Sequence, residues 1–396
     1  MFSRKAESIA PSATIALNAR AAELSARGEK VVNFTVGEPD FPTPENICRA
    51  AEKAMKEGKT KYTPAAGIPE LRKAICEKLR KENGLEYKPS QVVVSCGAKH
   101  SLALVLQALC NPGDEVIIPT PFWFTYEEQA KLADGKPVFV KTSADNGFRL
   151  RASEVEKAVT ERTKAIIINS PSNPTGAVIE ESELRKIAEL AVKNNFFVIS
   201  DEVYEKLVYD GREHFSIASF GPEIYEKTIT VNAFSKAYAM TGWRVGYTAS
   251  SEKLAGIIAN LQSQTTSGTC SIAQWAGLEA LNGPQDSVGK MAAAFDERRK
   301  YVMERVAGME GLEMARPEGA FYAFIRAGKL CGKKAGGRKI NNGDDFCAAL
   351  LDAEKVLLVP GSPFGAPDYA RLSYASSMES LKEGLDRIER FVKGLK

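Results

Sequence analysis

Lys236 lies in a stretch whose residue types suit the binding of an aldehyde and a phosphate. The stretch covers residues 232–246 and follows a strand-like segment at 228–231. A lysine amine forms an imine with an aldehyde, while the hydroxyl of Ser235 and the planar guanidinium of Arg244, eight positions after the lysine, bind phosphate oxygens. Any single lysine is more often a solvated surface residue. The spacing to Arg244 and the polar residues described next favour the chemical role.

Three further groups of residues stand where predicted strands end. Asn173 follows the strand at 166–168, in a loop with two prolines and a glycine where an X–Pro bond is a candidate for the cis form. Asp201 and Tyr204 follow the strand at 197–199, and ligands bind at this edge of a parallel sheet. Residues 95–100 join the strand at 92–94 to an apolar helix, and their backbone N–H groups suit an anion. The alternatives are a helix N-cap at Asp201 and a plain tight turn at 95–100.

The elements that must position these residues are short apolar runs that alternate with amphipathic stretches. The predicted strands are mostly β-branched and occupy residues 92–94, 115–118, 138–140, 165–168 and 196–199. Such runs are typical of strands buried on both faces of a mainly parallel sheet. In the segment 181–193, apolar residues recur at helical spacing. The alternation predicts an α/β fold with right-handed crossovers.

The C-terminal third of the chain has a different pattern, which predicts a second, smaller α+β domain. Its predicted elements are a helix at 291–306, a strand at 319–324, an exposed loop at 327–343, a helix at 344–353, a strand at 355–359 and a helix at 378–395. We expect the N-terminal segment to join this domain. The predicted division is a large domain at 43–285 and a small domain made of 1–42 and 286–396.

Composition excludes several classes of protein. The formal net charge is +3, from 53 basic and 50 acidic residues, without the clustered basic excess of a nucleic-acid-binding chain. No apolar run is long enough for a signal peptide or a membrane span. The seven cysteines form no C-x-x-C pair and only two histidines are present, so zinc-ligand spacing is absent and we expect no metal. Free thiols indicate a reducing compartment, and we predict a cytoplasmic protein.

Together these motifs resemble the class I aminotransferases, which are fold-type I enzymes dependent on pyridoxal 5′-phosphate. The likeness runs from about Pro11 to the C-terminus, and its motifs occur in the family's order. Within the family the chain looks closest to bacterial aspartate aminotransferases of the Ib subgroup, some of which also accept prephenate. The resemblance implies a mainly parallel seven-stranded sheet flanked by helices, with the smaller α+β domain beside it.

The resemblance also implies how the cofactor is bound. Lys236 is the Schiff-base lysine and proton shuttle, Asp201 pairs with the pyridine nitrogen, and Tyr204 lies beside the phenolic oxygen. Asn173 bonds that same oxygen. The remaining cofactor-binding residues are Gly97, Ala98 and Lys99 around the phosphate, Ser235 and Arg244 on the same group, Trp123 stacked on the ring, and Tyr62 reaching the phosphate of a neighbouring subunit. The last assignment implies a homodimer with shared active sites. Taken alone, Trp123 would more readily be a core residue.

The substrate-binding residues follow from the same resemblance. Arg371 binds the α-carboxylate of the substrate, and the backbone of Gly37 contacts the same group. Trp123 and Asn173 lie beside them. Without the resemblance, an arginine in a strand is usually a surface residue. The resemblance assigns the side-chain carboxylate of the substrate to Lys99, together with Ser12 and Thr14. One departure from the family is Ala233, which stands where many members have another phosphate-binding hydroxyl.

The function implied is a ping-pong transamination that moves the amino group of L-aspartate to 2-oxoglutarate. Other acidic amino acids, and prephenate as keto acceptor, fit the same site. The alternatives are an aminotransferase for alanine or aromatic substrates, a lyase or synthase of the same fold such as the aminocyclopropane-carboxylate synthases, and a cofactor-binding regulator. Such regulators carry a DNA-binding domain, and the residues before Pro11 do not suffice for one. Substrates are small amino and 2-oxo acids, with no nucleic acid or membrane partner.

Overall fold

The β-branched runs in the first two thirds of the chain form one seven-stranded sheet. The computed structural model describes residues 2–10 and 13–396. Within them, the strands of this sheet lie in the spatial order Val92–Ser95, Gly246–Ala249, Thr228–Ala233, Phe197–Asp201, Thr163–Asn169, Glu115–Thr120 and Lys136–Lys141. Gly246–Ala249 is antiparallel to both its neighbours, and the other pairs are parallel. The predicted mainly parallel sheet is therefore confirmed, and six strands have their carboxyl ends at one edge.

Helices cover both faces of this sheet because its strands are apolar on both sides. In Thr163–Asn169, for example, Ile167 packs into one hydrophobic cluster and Ile166 into another on the opposite face. The helix Glu181–Lys193 buries the face that its spacing predicted. The α-helices up to residue 282 are Arg4–Glu7, Ala13–Ala26, Glu45–Lys56, Pro69–Asn83, Ala98–Leu109, Thr125–Leu132, Ala152–Ala158, Glu181–Lys193, Pro222–Lys227, Phe234–Ala237, Glu252–Thr265 and Ser271–Asn282. Among the described residues, no helix is both long and apolar enough to cross a membrane.

The C-terminal third builds a separate antiparallel sheet with its own core. Its strands follow the order Val359–Pro360, Tyr369–Ser373, Tyr322–Arg326 and Glu313–Met314. The helices of this part are Asp286–Ala307, Gly343–Glu354 and Met378–Lys393. The strand Val32–Asn33 pairs in parallel with Val356–Leu357 in a separate two-stranded sheet, which brings the N-terminal segment against the C-terminal third. The predicted domain boundaries at 42/43 and 285/286 stay predictions.

Two predicted elements of the C-terminal third are wrong in detail. The strand expected at 355–359 begins one residue later, because Lys355 has a left-handed backbone with φ 57° and ends the preceding helix. It is also divided between two sheets, because the chain changes partner after Leu357. The loop expected at 327–343 contains a short hairpin, Lys334–Ala335 with Arg338–Lys339, and a 3-10 turn at Gly328–Leu330. Leu330 and Ile340 are fully buried. These two apolar side chains anchor a segment that is otherwise polar.

Candidate active site

A cavity of about 400 Å³ lies at the carboxyl edge of the large sheet, where the small sheet meets it. Most of the predicted site residues line it, namely Gly37, Ala98, Lys99, Trp123, Asn173, Asp201, Tyr204, Ser235, Lys236, Arg244 and Arg371. Gly97 lies behind Arg244, outside the lining. Tyr62 is 96% exposed and does not line the cavity of its own chain. Ser12 lies outside the described residues, as does the side chain of Thr14.

The amine of Lys236 is held in this cavity by a backbone hydrogen bond and lies over the Phe321 ring. Lys236 sits in the short helix Phe234–Ala237, directly after the central strand Thr228–Ala233. Its Nζ donates a hydrogen bond to the carbonyl oxygen of Gly37 at 2.5 Å. Desolvation lowers the pKa of Lys236 to about 8, against the opposing effect of the Glu38 carboxylate. A neutral amine is therefore accessible close to physiological pH.

Asp201 ends the strand Phe197–Asp201 with its carboxylate 2% exposed. The hydroxyl of Tyr126 donates to its Oδ2 at 2.6 Å, and the N–H of Val203 lies 3.4 Å from Oδ1. Burial raises the pKa of Asp201 to about 6, although the Tyr126 hydrogen bond opposes this shift. A cationic partner in the cavity would stabilise the ionised form and lower this pKa.

Arg371 carries a buried positive charge whose partners are neutral. It lies in the strand Tyr369–Ser373 and is 2% exposed. Its guanidinium donates to Oδ1 of Asn173 at 3.0 Å and to the carbonyl oxygen of Thr35 at 2.7 Å. The Nε atom is buried without a hydrogen-bond partner among the described residues. Because a buried charge is costly unless it is paired, this guanidinium is suited to an anionic ligand.

The turn before the helix Ala98–Leu109 forms an anion cradle with Arg244. Gly97 has φ 83°, and a Cβ there would lie 2.5 Å from Nη2 of Arg244. Gly246 leaves similar room, because a Cβ at that position would lie 2.6 Å from the amide nitrogen of Ala98. The N–H groups of Ala98 and Lys99 open the helix and have no acceptor within it. Arg244 itself is held by the carbonyl oxygens of Thr241 and Cys96, at 2.7 and 3.3 Å.

The profile of one protein family, "Aminotransferase class I and II", matches residues 29–388. The chain belongs to this family. A probable aspartate/prephenate aminotransferase of Aquifex aeolicus is 50% identical over 96% of this chain and 95% of its own length. Among solved structures, the aspartate aminotransferase of Rhizobium meliloti superposes with a TM-score of 0.97, at 42% identity and full coverage of both chains. That of Thermus thermophilus, with maleate, gives 0.93 at 42% identity over 99% of each chain.

Pyridoxal 5′-phosphate is the cofactor of this aminotransferase, and the cavity has the donor set that the cofactor requires. The cradle at Gly97 and Arg244 suits the phosphate. The buried carboxylate of Asp201 suits the ring nitrogen, and the amine of Lys236 suits the aldehyde. These three groups come from different strand ends of one sheet edge. The fit therefore rests on the topology as much as on the motifs.

Sequence reasoning missed several residues of the aminotransferase site. Tyr126 contacts Asp201, Tyr322 contacts Tyr204, and Asn169 accepts the N–H of Asn173 at 2.8 Å. Tyr126 follows Trp123 by only three positions, and its ring meets the Trp123 ring edge to face at 5.4 Å, so proximity along the chain was a signal. No local signal marked Tyr322. The proline loop behaves as expected, since the Ser170–Pro171 and Asn173–Pro174 bonds are both cis.

Among the described residues, Glu202, Glu205 and His214 form a cluster of the kind that could hold a metal ion, with the atoms that would bind it within 4.8 Å of one another. Its carboxylates already have donors. Ser216 and His214 contact Glu202, and Lys78 and Asn232 contact Glu205. The cluster is therefore a paired ionic network beneath the sheet edge, and we assign it no metal.

The raised pKa of Asp201 predicts that this carboxyl destabilises the cofactor-free fold at neutral pH. In the folded chain its pKa is about 6, against an ordinary value of 3.8. Below pH 3.8 the carboxyl is protonated in both the folded and the unfolded chain, and its contribution to stability is fully present. Between 3.8 and about 6 only the unfolded chain ionises, so this contribution is lost as the pH rises. We expect cofactor-free Asp201→Asn to exceed the wild type in free energy of unfolding by about 2 kcal/mol at pH 7.5, since the amide never ionises.

Urea unfolding of the cofactor-free proteins at several pH values between about 4 and 7.5 measures this difference. The excess should shrink as pH falls towards 4. Asp368→Asn, which removes an exposed carboxylate, serves as control and should show no such trend. An Asp201→Asn protein that is less stable than the wild type throughout would contradict the assignment.

Proposed function

We propose that the protein transfers the amino group of L-aspartate to 2-oxoglutarate, and that prephenate is a further keto acceptor. Four cationic side chains line the cavity, and the observation that carries this proposal is the pair that remains, Arg371 and Lys99, once Lys236 and Arg244 are assigned to the cofactor. Among the described residues, the polar partners of Arg371 are neutral oxygens, and the Lys99 amine lies over the Trp123 ring. Two free positive charges in a cavity of about 400 Å³ suit a small substrate with two carboxylates.

The relatives support a dicarboxylate substrate. The Aquifex relative is named for aspartate and prephenate, and the Thermus structure was solved with maleate, which is a four-carbon dicarboxylate like aspartate. Lys99 suits varied acidic side chains, because an ammonium on a flexible stem is a point charge with no fixed plane. Its Nζ lies 4.9 Å from the centre of the Trp123 ring. The resemblance would add the hydroxyls of Ser12 and Thr14 to this end of the cavity.

We assign the cofactor-binding roles to the residues that line the cavity. When bound, pyridoxal 5′-phosphate supplies the electron sink that weakens the Cα–H bond of an amino acid. Lys236 would hold its aldehyde and Asp201 its ring nitrogen. The other holding residues would be Asn173 and Tyr204 at the phenolic oxygen, Trp123 on the ring face, and Ser235, Arg244 and the amides of Ala98 and Lys99 at the phosphate, with Gly97 giving the room.

The chain's own residues would then orient the substrate and move one proton. Arg371 binds the α-carboxylate, with the backbone at Gly37 beside it, so that the Cα proton faces Lys236. The released amine of Lys236 takes that proton as general base, and its pKa of about 8 keeps enough of the neutral form available. Amino and 2-oxo acids share one cavity, and this arrangement favours ping-pong kinetics.

Lys236→Ala tests the central assignment. We expect turnover to fall by at least about a thousandfold, because the variant lacks both the covalent anchor and the base. Borohydride reduction of the cofactor-loaded wild type should place the cofactor on the peptide that contains Lys236, as peptide mass mapping would show. Lys99→Ala is the matched control, since it removes the other cavity lysine and should still be labelled at position 236. A label on a different side chain would overturn the assignment.

Lys99→Met tests the proposed substrate class, because it keeps the length of the side chain and deletes the charge. We expect kcat/KM for aspartate to fall about 30-fold or more, as for the loss of one charge-assisted hydrogen bond, while that for alanine changes little. Initial rates with both amino acids measure the ratio. Lys164→Met, outside the cavity, is the control. An unchanged preference for aspartate would remove Lys99 from the substrate site.

We also propose a homodimer in which Tyr62 reaches the phosphate of the partner's cofactor. Its phenol is 96% exposed in the single chain, which is unusual for a large aromatic side chain and supports an intermolecular role. All seven cysteines are free thiols, which supports the cytoplasm as the compartment.

A mixed dimer tests the shared site. Lys236→Ala and Tyr62→Ala chains, each weakly active alone, should form a heterodimer in which one site carries both changes and the other carries neither. We expect about half of the wild-type activity per heterodimer at limiting cofactor. If Tyr62 served its own chain, both sites would be damaged. In that case, mixing would restore nothing.

A further inference from the structure

Tyr322 lies at the junction between the cofactor-facing and carboxylate-binding sides of the cavity. It opens the strand Tyr322–Arg326 of the small sheet and is 1% exposed. Its hydroxyl oxygen lies 2.8 Å from that of Tyr204, which belongs to the large-sheet side, and the two rings meet edge to face. Two buried phenols at hydrogen-bond distance fix each other's protons, because one must donate and the other accept.

The same side chain supports Arg371 through its ring. The guanidinium carbon of Arg371 lies 4.5 Å from the centre of the Tyr322 ring, within the range of a cation–π contact. On the other side, a Cβ on Gly37 would lie 2.9 Å from the Tyr322 hydroxyl. The glycine therefore leaves the space that this hydroxyl occupies. Three residues of the proposed substrate and cofactor site thus contact one phenol.

The charges around the pair indicate which hydroxyl donates. The groups that act on Tyr204 are Tyr322, Arg371 and Asp201. Arg371 opposes the burial-driven rise in the pKa of both phenols, but it lies directly on the ring of Tyr322. Burial raises the pKa of both phenols, and the Tyr322 phenol and the Asp201 carboxylate raise that of Tyr204 further, which makes Tyr204 the weaker acid of the two. The more acidic phenol is the better donor, so Tyr322 donates and Tyr204 accepts.

We propose that Tyr322 is a positioning residue that donates a hydrogen bond to Tyr204 and so directs the Tyr204 proton at the phenolic oxygen of the cofactor. This inference rests on the proposed function, which places that oxygen beside Tyr204. A phenol that already accepts a hydrogen bond is a stronger donor, because chains of hydrogen bonds polarise one another. Tyr322 therefore links the α-carboxylate grip of Arg371 to the charge on the cofactor.

Tyr322→Phe tests the proposal, since it deletes the hydroxyl and keeps the ring under Arg371. The first measurement is the pH midpoint of the visible absorption of the cofactor-loaded enzyme, which follows the proton on the nitrogen that joins Lys236 to the cofactor. A hydrogen bond donated to the phenolic oxygen of the cofactor withdraws negative charge from it and so lowers this midpoint. We expect the variant's midpoint to rise by about half to one pH unit. The kcat should fall about tenfold, with the KM for aspartate changed less than about threefold, because the ring contact is kept.

A double-mutant cycle separates a positioning role from a structural one. Tyr204→Phe should raise the midpoint further than Tyr322→Phe does, and adding Tyr322→Phe to Tyr204→Phe should cause no additional rise. Tyr374→Phe is the matched control, because it removes another buried hydroxyl, one that contacts the Ala320 carbonyl oxygen outside the cavity. Its midpoint should equal that of the wild type.

The outcomes distinguish this inference from the proposed function. A rise in Tyr204→Phe without one in Tyr322→Phe would overturn the role of Tyr322 and leave the proposed function standing. Additive rises would also overturn it, because Tyr322 would then act without Tyr204. If Tyr204→Phe leaves the midpoint unchanged, the assignment of Tyr204 fails, and the inference built on it fails as well.

Discussion

The active site depends on a guanidinium that the fold buries without a countercharge. Arg371 projects from the small sheet to the carboxyl edge of the large one, and its described polar partners are the Asn173 amide oxygen and the Thr35 carbonyl. Desolvating an ion costs several kcal/mol, and neutral hydrogen bonds offset only part of that cost. The rings of Tyr322 and Phe364, at 4.5 and 5.2 Å, add to the compensation. What remains favours an anionic ligand, and in the proposed function the substrate carboxylate completes this interaction.

The same dry environment shifts the other two ionisable groups of the cavity in opposite directions. Burial lowers the pKa of Lys236 to about 8 and raises that of Asp201 to about 6. Both shifts favour the neutral form, because desolvation penalises charge of either sign. For the lysine this yields a usable base. For the aspartate it yields a carboxylate whose ionised form is costly until a cationic partner stabilises it. One physical cause therefore prepares two different functions, as long as the apolar walls stay packed.

The sequence predicts those site residues that stand next to a recognisable strand. It does not predict those whose role depends on contacts with residues far away in the chain. The sheet was predictable because its strands are short β-branched runs buried on both faces, and Lys236, Asp201 and Asn173 stand directly after such runs. Tyr322 could not be found in this way, since its partner Tyr204 is 118 positions away and nothing nearby distinguishes it from a core tyrosine. The divided strand near Lys355 was hidden for a similar reason. Its first half, Val356–Leu357, is fixed by pairing with Val32–Asn33 near the other end of the chain.

The segment around Thr35 and Gly37 explains how the two sheets act as one site. The N–H of Phe34 bonds the carbonyl oxygen of Leu357, and the Phe34 carbonyl accepts from Ser373, so this segment belongs structurally to the small sheet. The carbonyl oxygens that follow contact the cavity instead. That of Thr35 accepts a hydrogen bond from Arg371, and that of Gly37 accepts one from the amine of Lys236. Any movement of this segment must therefore change the surroundings of the Arg371 guanidinium and the Lys236 amine together. A side chain at position 37 would collide with the Tyr322 hydroxyl at 2.9 Å. The requirement for glycine there is thus a packing consequence of placing base, phenol and guanidinium within reach of one substrate.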